Sequence, residues 1–278
     1  MMRIVLLTDI PVWVKPLADA LGTLGADVVV AASIEAVPPE GLIVNRLSTL
    51  LVRKDPALSR SYIDALKNWE REGRTVVNGS RALALGYSKL AQAKHFEAVG
   101  VGTPRTHPAC PGERAIPGHR VLLKPEAGGF GKGIRELDEN SPVPTNLREG
   151  SGGWVEQALL EPSDGCVHRV EFLGTRILYE ACSTLRAKDY NYCLANTEAE
   201  VVLQGEEDMS PRAVREAKQV AASAGMELGA VEYLLGEEGI PVFIDLNPVS
   251  SLHPKAKDLL LEDPLSLTAR YLRHRSKS

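Results

Sequence analysis

Apolar positions along the chain follow two different periods. Arg3–Thr8, Asp27–Ala32 and Gly41–Asn45 are short, nearly continuous apolar runs, the pattern of parallel strands buried on both faces. Between them Trp13, Leu17, Leu21 and Leu24 recur at helical spacing, and Gly25 is a natural helix stop. Asp55-Pro56 starts a further helix, with an aspartate cap and proline in the first turn. Its apolar face continues through Ile63, Leu66 and Trp69 to Gly73, and Thr75–Asn78 follows as a fourth strand. This alternation predicts a small doubly wound α/β unit. No G-x-G-x-x-G follows its first strand, which disfavours a dinucleotide site. Ser80 is predicted to cap the next helix, which carries Leu83, Leu85, Leu90 and Phe96 and ends near Gly100.

Val101–Gly118 is rich in Pro and Gly and is the strongest break in the pattern. After it the period changes. Val121–Pro125 and Gly133–Leu137 read as strands joined by a glycine loop, Glu139–Gly153 as a polar connection, and Gly153–Leu160 as another strand. Two antiparallel strands are predicted over Val167–Leu185, turning at Gly174-Thr175. Ser210-Pro211 starts a helix that runs to Gly225. Leu228–Leu235 and Ile240–Leu246 form a hairpin through Gly236–Gly239, and Asp263-Pro264 starts a last helix.

Composition narrows the class. The 278 residues are 44% hydrophobic and 24% charged, with a formal net charge of −4, which suits a soluble globular protein and excludes a basic nucleic-acid binder. The apolar runs are too short to span a bilayer, and the first residues meet Asp9 too early for a signal peptide. Cys110, Cys166, Cys182 and Cys193 form no C-x-x-C pair and show no zinc-ligand spacing. Reduced thiols in a cytoplasmic protein are expected.

Two stretches carry chemistry. In Lys124-Pro-Glu-Ala-Gly-Gly-Phe-Gly-Lys-Gly133, Gly128, Gly129, Gly131 and Gly133 lie between two strands, where N–H groups can turn inward around a polyphosphate. The loop matches neither a Walker A motif nor the kinase glycine pattern, and a flexible hairpin tip is the competing reading. Downstream, Asp245 and Asn247 are two apart and share one face of a strand. Glu232 lies on the strand expected to pair with it. Two carboxylates and an amide are the hard oxygen donors that Mg²⁺ selects. Asp245 and Asn247 also interrupt an otherwise apolar strand, where an unpaired charge is costly.

Taken together, these pieces resemble an ATP-grasp carboxylate–amine ligase, nearest to the ribosomal-S6 glutamate ligase and lysine-biosynthesis ligase branch. The matching residues come in family order: Gly41–Ser48 with Asn45-Arg46, Tyr87-Ser88-Lys89-Leu90, Gly100–Thr106, the Lys124–Gly133 loop, Val155-Glu156-Gln157-Ala158-Leu159, then Arg169, Arg186, Asn191, Glu232, Asp245 and Asn247. The resemblance implies an α/β (α+β) ATP-grasp fold behind a Rossmann-like N-terminal unit. Residues 1–85 would form that unit, 86–160 the central lobe and 161–278 the C-terminal lobe. It implies ATP held by Lys89, Lys124 and the four glycines, with Glu156, Gln157 and the Leu159 backbone at the adenine and Asp164 at the ribose. Glu232, Asp245 and Asn247 would hold Mg²⁺, or Mn²⁺. Arg186, Arg169 and Asn191 would act at the acyl phosphate. An amide or peptide bond would join a small-molecule carboxylate to an amine, or to the terminus of a peptide or carrier protein. Homo-oligomers are common among such relatives.

The chain departs from the family pattern at several positions. Glu232 and Asp245 exchange the usual acids, His168 stands where an acid or apolar residue is usual, and Asn247–His253 differs from Asn-x-x-Pro-Gly. An ATP-grasp phosphotransferase and a non-catalytic ATP-binding module are the competing functions. Arg46 reads equally as a carboxylate ligand or a surface arginine. Ser250 and Ser251 read as turn caps before substrate ligands, and His253 as a structural residue before a base. Tyr190–Cys193 reads as acceptor pocket or packing, and Trp154 as core.

Overall fold

The computed structural model describes residues 3–129, 131–147, 153–184, 200–250, 252–253 and 255–277. Strands β1 (Arg3–Leu7), β2 (Asp27–Ala31), β3 (Leu42–Asn45) and β4 (Val76–Val77) form a parallel sheet in the order β2-β1-β3-β4. Helices α1 (Pro11–Thr23), α2 (Leu51–Lys54) and α3 (Pro56–Arg71) accompany it. Ile4 and Leu6 pack with Val14, Leu17 and Leu21 of α1, while Val5 and Leu7 pack with Tyr62 and Leu66 of α3. Burial on both faces is why β1 reads as an unbroken apolar run. The Asp55 carboxylate accepts from the Leu58 N–H at 2.9 Å, as a cap should.

The single helix expected from Ser80 is two helices, α4 (Ser80–Gly86) and α5 (Lys89–Val99). Gly79 occupies the cap position of α4, and the Ser80 hydroxyl instead donates to Glu70 at 2.6 Å. Ser88 is the true cap: its Oγ accepts from the Ala91 N–H at 3.0 Å. The break places Lys89 in a first turn, with its own N–H bonded to the Glu126 carbonyl at 3.0 Å.

The second sheet is antiparallel: β5 (Thr106–Pro108), β6 (Val121–Pro125), β7 (Arg135–Leu137) and β8 (Trp154–Ala158), in the order β5-β8-β6-β7. The Pro- and Gly-rich stretch is therefore more than a break, because β5 lies within it and pairs with β8 as an edge strand, where proline is tolerated. In the same stretch the Gly102 carbonyl accepts from the Phe243 N–H at 2.7 Å.

The third sheet contains β9 (Cys166–Leu173), β10 (Arg176–Thr184), β11 (Val201–Gln204), β12 (Leu228–Leu235) and β13 (Pro241–Asn247), in the order β11-β10-β9-β12-β13. Helix α6 (Pro211–Ala224), capped by Ser210 and ended by Gly225 in the left-handed region, covers one face. Ala213, Ala217, Val220 and Ala224 meet Val170, Phe172, Val231, Tyr233 and Phe243 there. On the other face Leu173, Tyr179, Ala181 and Leu228 share a core with Ile4 and Leu6 of the first sheet. Helices α7 (Ala256–Leu260) and α8 (Pro264–Arg275) contribute Ala256, Ala269 and Leu272 to that core. Asn78 ties the units together. Its Oδ1 accepts from the N–H groups of Glu227 and Leu228, and its Nδ2 donates to Pro248 at 2.6 Å.

Candidate functional site

Side-chain alternation on β9, β12 and β13 builds the centre of the site. Arg169 lies opposite Glu232, and Glu232 opposite Asp245. A bulge at Ile244 shifts the phase of β13. Phe243 therefore enters the core under α6, while Asp245, two residues on, pairs with Glu232 on the other face. Arg169 donates from Nη1 to Glu232 at 2.5 Å, from Nε to Glu171 at 2.8 Å, and from Nη2 to Ser250 Oγ at 2.8 Å. Asn247 donates to Glu232 at 3.2 Å, and Ser250 to Glu171 at 2.5 Å.

Arg169, Glu171 and Glu232 are all buried, Glu171 completely. Burial works against the Arg169 charge, but the two carboxylates outweigh it and raise the guanidinium above its ordinary value. Burial also lifts the Glu232 carboxyl above the usual range. Arg169 opposes that shift and Asp245 adds to it. One oxygen of Glu171, Oε2, is buried without a hydrogen-bond partner.

Two lysines reach this face from other elements. Lys89, at the start of α5, donates to Asp245 at 2.6 Å. Lys124, on β6, donates to Gln157 at 2.6 Å, and Gln157 donates to Thr106 Oγ1 at 3.0 Å. Burial pushes the Lys124 ammonium down to about 8, and Lys89 adds to the shift while Asp245 and Glu232 oppose it. Two cations, two carboxylates and an amide thus converge from α5 and from the second and third sheets.

The glycine loop lies close to the first unit. A side chain at Gly128 would come within 3.2 Å of Arg53 Cδ, and one at Gly129 within 3.3 Å of Thr49 Oγ1. Gly128, Gly131 and Gly133 have φ of 144°, 65° and 86°, so the path of the loop needs glycine. Arg46 is half-buried rather than fully on the surface. It donates from Nη2 to the Ser250 carbonyl at 2.8 Å, and burial lowers its pKa against the pull of Glu171.

The remaining expected residues sit differently. Glu156 is fully buried and accepts from the N–H groups of Ala115 and Ile116 at 3.0 and 3.1 Å, with Arg114 beside it. It pairs with Leu123, so it faces away from Lys124 and Gln157. The Leu159 N–H is bonded to the Arg120 carbonyl at 3.0 Å. Asp164 contacts His168 at 2.8 Å, on the face opposite Arg169. Arg186, Asn191, Ser251 and Tyr190–Cys193 lie outside the described residues. His253 is anchored by its N–H to Tyr179 Oη at 2.8 Å, a structural placement. Trp154 packs beside the Ile116–Val143 cluster, with Arg135 over its ring at 5.8 Å. Glu171 was missed, although its spacing of two from Arg169 on a strand was the available signal.

No family model matches the sequence, and no curated protein matches it. Solved structures do. A RimK-domain ATP-grasp protein from Sphaerobacter thermophilus is 18% identical with a TM-score of 0.66, over 98% of this chain and 99% of that one. The ATP-grasp ligase PsnB, complexed with precursor peptide PsnA2 and AMPPNP, is 16% identical with a TM-score of 0.66, over 99% and 98%. D-alanine–D-alanine ligase from Bacillus anthracis, complexed with ATP, is 12% identical with a TM-score of 0.65, over 99% and 98%. At such identities the likeness is one of fold, and over nearly its whole length this chain has the ATP-grasp fold.

Proposed function

We propose that the protein is an ATP- and Mg²⁺-dependent carboxylate–amine ligase. One observation supports the reading: Lys89 from α5 and Lys124, Glu232, Asp245 and Asn247 from two sheets converge onto one charged face. The triphosphate would lie against Lys124, Lys89 and the glycine loop. The hard oxygens of Glu232, Asp245 and Asn247 fit Mg²⁺, which supplies charge neutralisation to the phosphates. In this reading a substrate carboxylate oxygen attacks the γ-phosphorus, and ADP leaves with the bridging oxygen. The amine nitrogen then attacks the acyl carbon, phosphate leaves, and the amine proton passes to solvent. Arg169, held between Glu171 and Glu232, is oriented to stabilise charge on the acyl phosphate and the tetrahedral intermediate. Arg46, half-buried beside Ser250, is a fixed cation suited to a substrate carboxylate.

A peptide-binding ligase and an amino-acid ligase both occur among the structural neighbours, so the acceptor is sought by experiment. An ADP-release screen over pairs of amino acids and short peptides should yield one pair that forms an amide in step with ADP and phosphate. Asp245→Ala combined with Asn247→Ala should abolish that turnover in a chain whose circular dichroism is unchanged. A phosphorylated product, or full turnover in the double variant, overturns the reading.

A further inference from the structure

The face of the third sheet that lies under α6 carries a second cluster of donor atoms, which takes in Asp164, expected above at the ribose, but none of the residues on the charged face. His168 and Cys182 are cross-strand partners on β9 and β10, and Asp164 reaches them from the turn before β9. An Asp164 carboxylate oxygen, a His168 ring nitrogen and Cys182 Sγ all lie within 4.8 Å of one another. His168 Nε2 is 2.8 Å from Asp164 Oδ2, and its other nitrogen is 3.3 Å from Glu180 Oε1. Glu180 in turn accepts from the Tyr233 hydroxyl and from Gln204. The Tyr233 ring stacks on the imidazole at 4.7 Å and 11°. The imidazole is thus fixed by packing on its face and by a carboxylate behind it, the outer-shell arrangement of metal-bound histidines.

We infer that Asp164, His168 and Cys182 bind a borderline divalent transition metal of the zinc class. The donor set decides the class. Thiolate and imidazole suit zinc, cobalt and nickel, while Mg²⁺ selects oxygen donors. Donor atoms around a tetrahedral zinc lie about 3–4 Å apart, so the cluster needs a contraction of about 1 Å. Charge points the same way. The Asp164 and Glu180 carboxylates flank one imidazole, and a divalent cation balances them. On binding, a metal–sulfur bond forms and the thiol proton passes to solvent, with no change of oxidation state. His168 would bind neutral through Nε2, with its Nδ1 buried 3.3 Å from Glu180 Oε1 and free to take that carboxylate as its partner. Cys166, in contact with Cys182, is not one of the three donors.

The test uses the full chain, reduced and stripped of metal, titrated with Co²⁺ and then Zn²⁺. Co²⁺ should give visible bands of tetrahedral type and a sulfur–metal charge-transfer band, both saturating at one metal per chain and displaced by Zn²⁺. Cys182→Ser should remove the charge-transfer band and weaken Zn²⁺ binding about tenfold or more. Cys166→Ser should keep both. Should Cys182→Ser fail to fold, Asp164→Asn at the exposed carboxylate should weaken Zn²⁺ binding in its place. Absence of stoichiometric binding by the folded reduced chain overturns the inference, as does unchanged binding in the ligand variants. These readouts are independent of ATP turnover.

Discussion

The two faces of the β9–β13 sheet are built from alternate residues of the same strands, yet they follow opposite rules. Under α6, Val170, Phe172, Val231, Tyr233 and Phe243 form a core, with a polar strip at His168 and Glu180. On the other face Arg169, Glu171 and Glu232 are almost as deeply buried and are charged. Burying an ion pair costs several kcal/mol per ion, and its Coulomb attraction offsets that only when geometry and extra hydrogen bonds are good. Here Arg169 uses all three guanidinium nitrogens, and Ser250 and Asn247 complete the bonds. The apolar face supplies stability. The charged face is held together by the bonds among its own residues, with Glu171 Oε2 left without a partner, and a charge cluster buried at such a cost is what makes it the candidate site. Single strands carry both roles because their side chains alternate with a period of two.

The comparison breaks most easily at Arg169. Arg169→Met leaves Glu171 and Glu232 buried without their cation, and the expected loss is about 3–5 kcal/mol of unfolding free energy, together with the proposed ligase turnover. Urea unfolding near neutral pH measures it. A loss below about 1 kcal/mol would mean that the charged face is not one coupled network.

How much of this was readable in the sequence depended on whether the signal was local. The helix starts at Asp55-Pro56, Ser210-Pro211 and Asp263-Pro264 were legible because cap and proline are adjacent in sequence. That Glu232 lies on the strand pairing with Asp245 and Asn247 was legible from the short hairpin, but the bulge at Ile244 that brings Glu232 opposite Asp245 was not. Lys89 was placed by resemblance alone, and the Ser88 cap that positions it was overlooked in favour of Ser80. Glu156 shows the opposite failure. Its motif pointed to a ligand, but strand register turns it toward Ala115 and Ile116, which sequence spacing does not reveal. His168 and Cys182 met no zinc spacing rule because β9 and β10 bring them together across the sheet.

Lys124 sharpens the comparison from across the cleft. Its ammonium is held near pKa 8 against an ordinary value of 10.5, so at neutral pH its burial costs about 3 kcal/mol. As pH rises above about 8 the native state sheds this proton while the unfolded chain keeps it, so stability should rise until about pH 10.5. Lys124→Met should be more stable than the parent by about 1–3 kcal/mol at pH 7, the lost Gln157 bond taking part of the gain. It should lack that rise above pH 8 and lose ATP binding. Urea midpoints for both chains between pH 7 and 10 test this. Parallel curves would remove Lys124 from the charged network.

The smallest effect belongs to the other face. Tyr233→Phe removes the hydroxyl that donates to Glu180 but keeps the ring stacked on His168. The expected cost is about 1 kcal/mol, with turnover unchanged. Its value lies in combination with Arg169→Met, since Tyr233 follows Glu232 in sequence but points through the opposite face of the sheet. If the faces are energetically separate, the double variant should lose the sum of the two single losses within about 0.5 kcal/mol. A larger deviation in the unfolding free energies would show that the backbone of β12 transmits strain from the charged side to the core, and that alternation separates chemistry from stability less cleanly than the geometry implies.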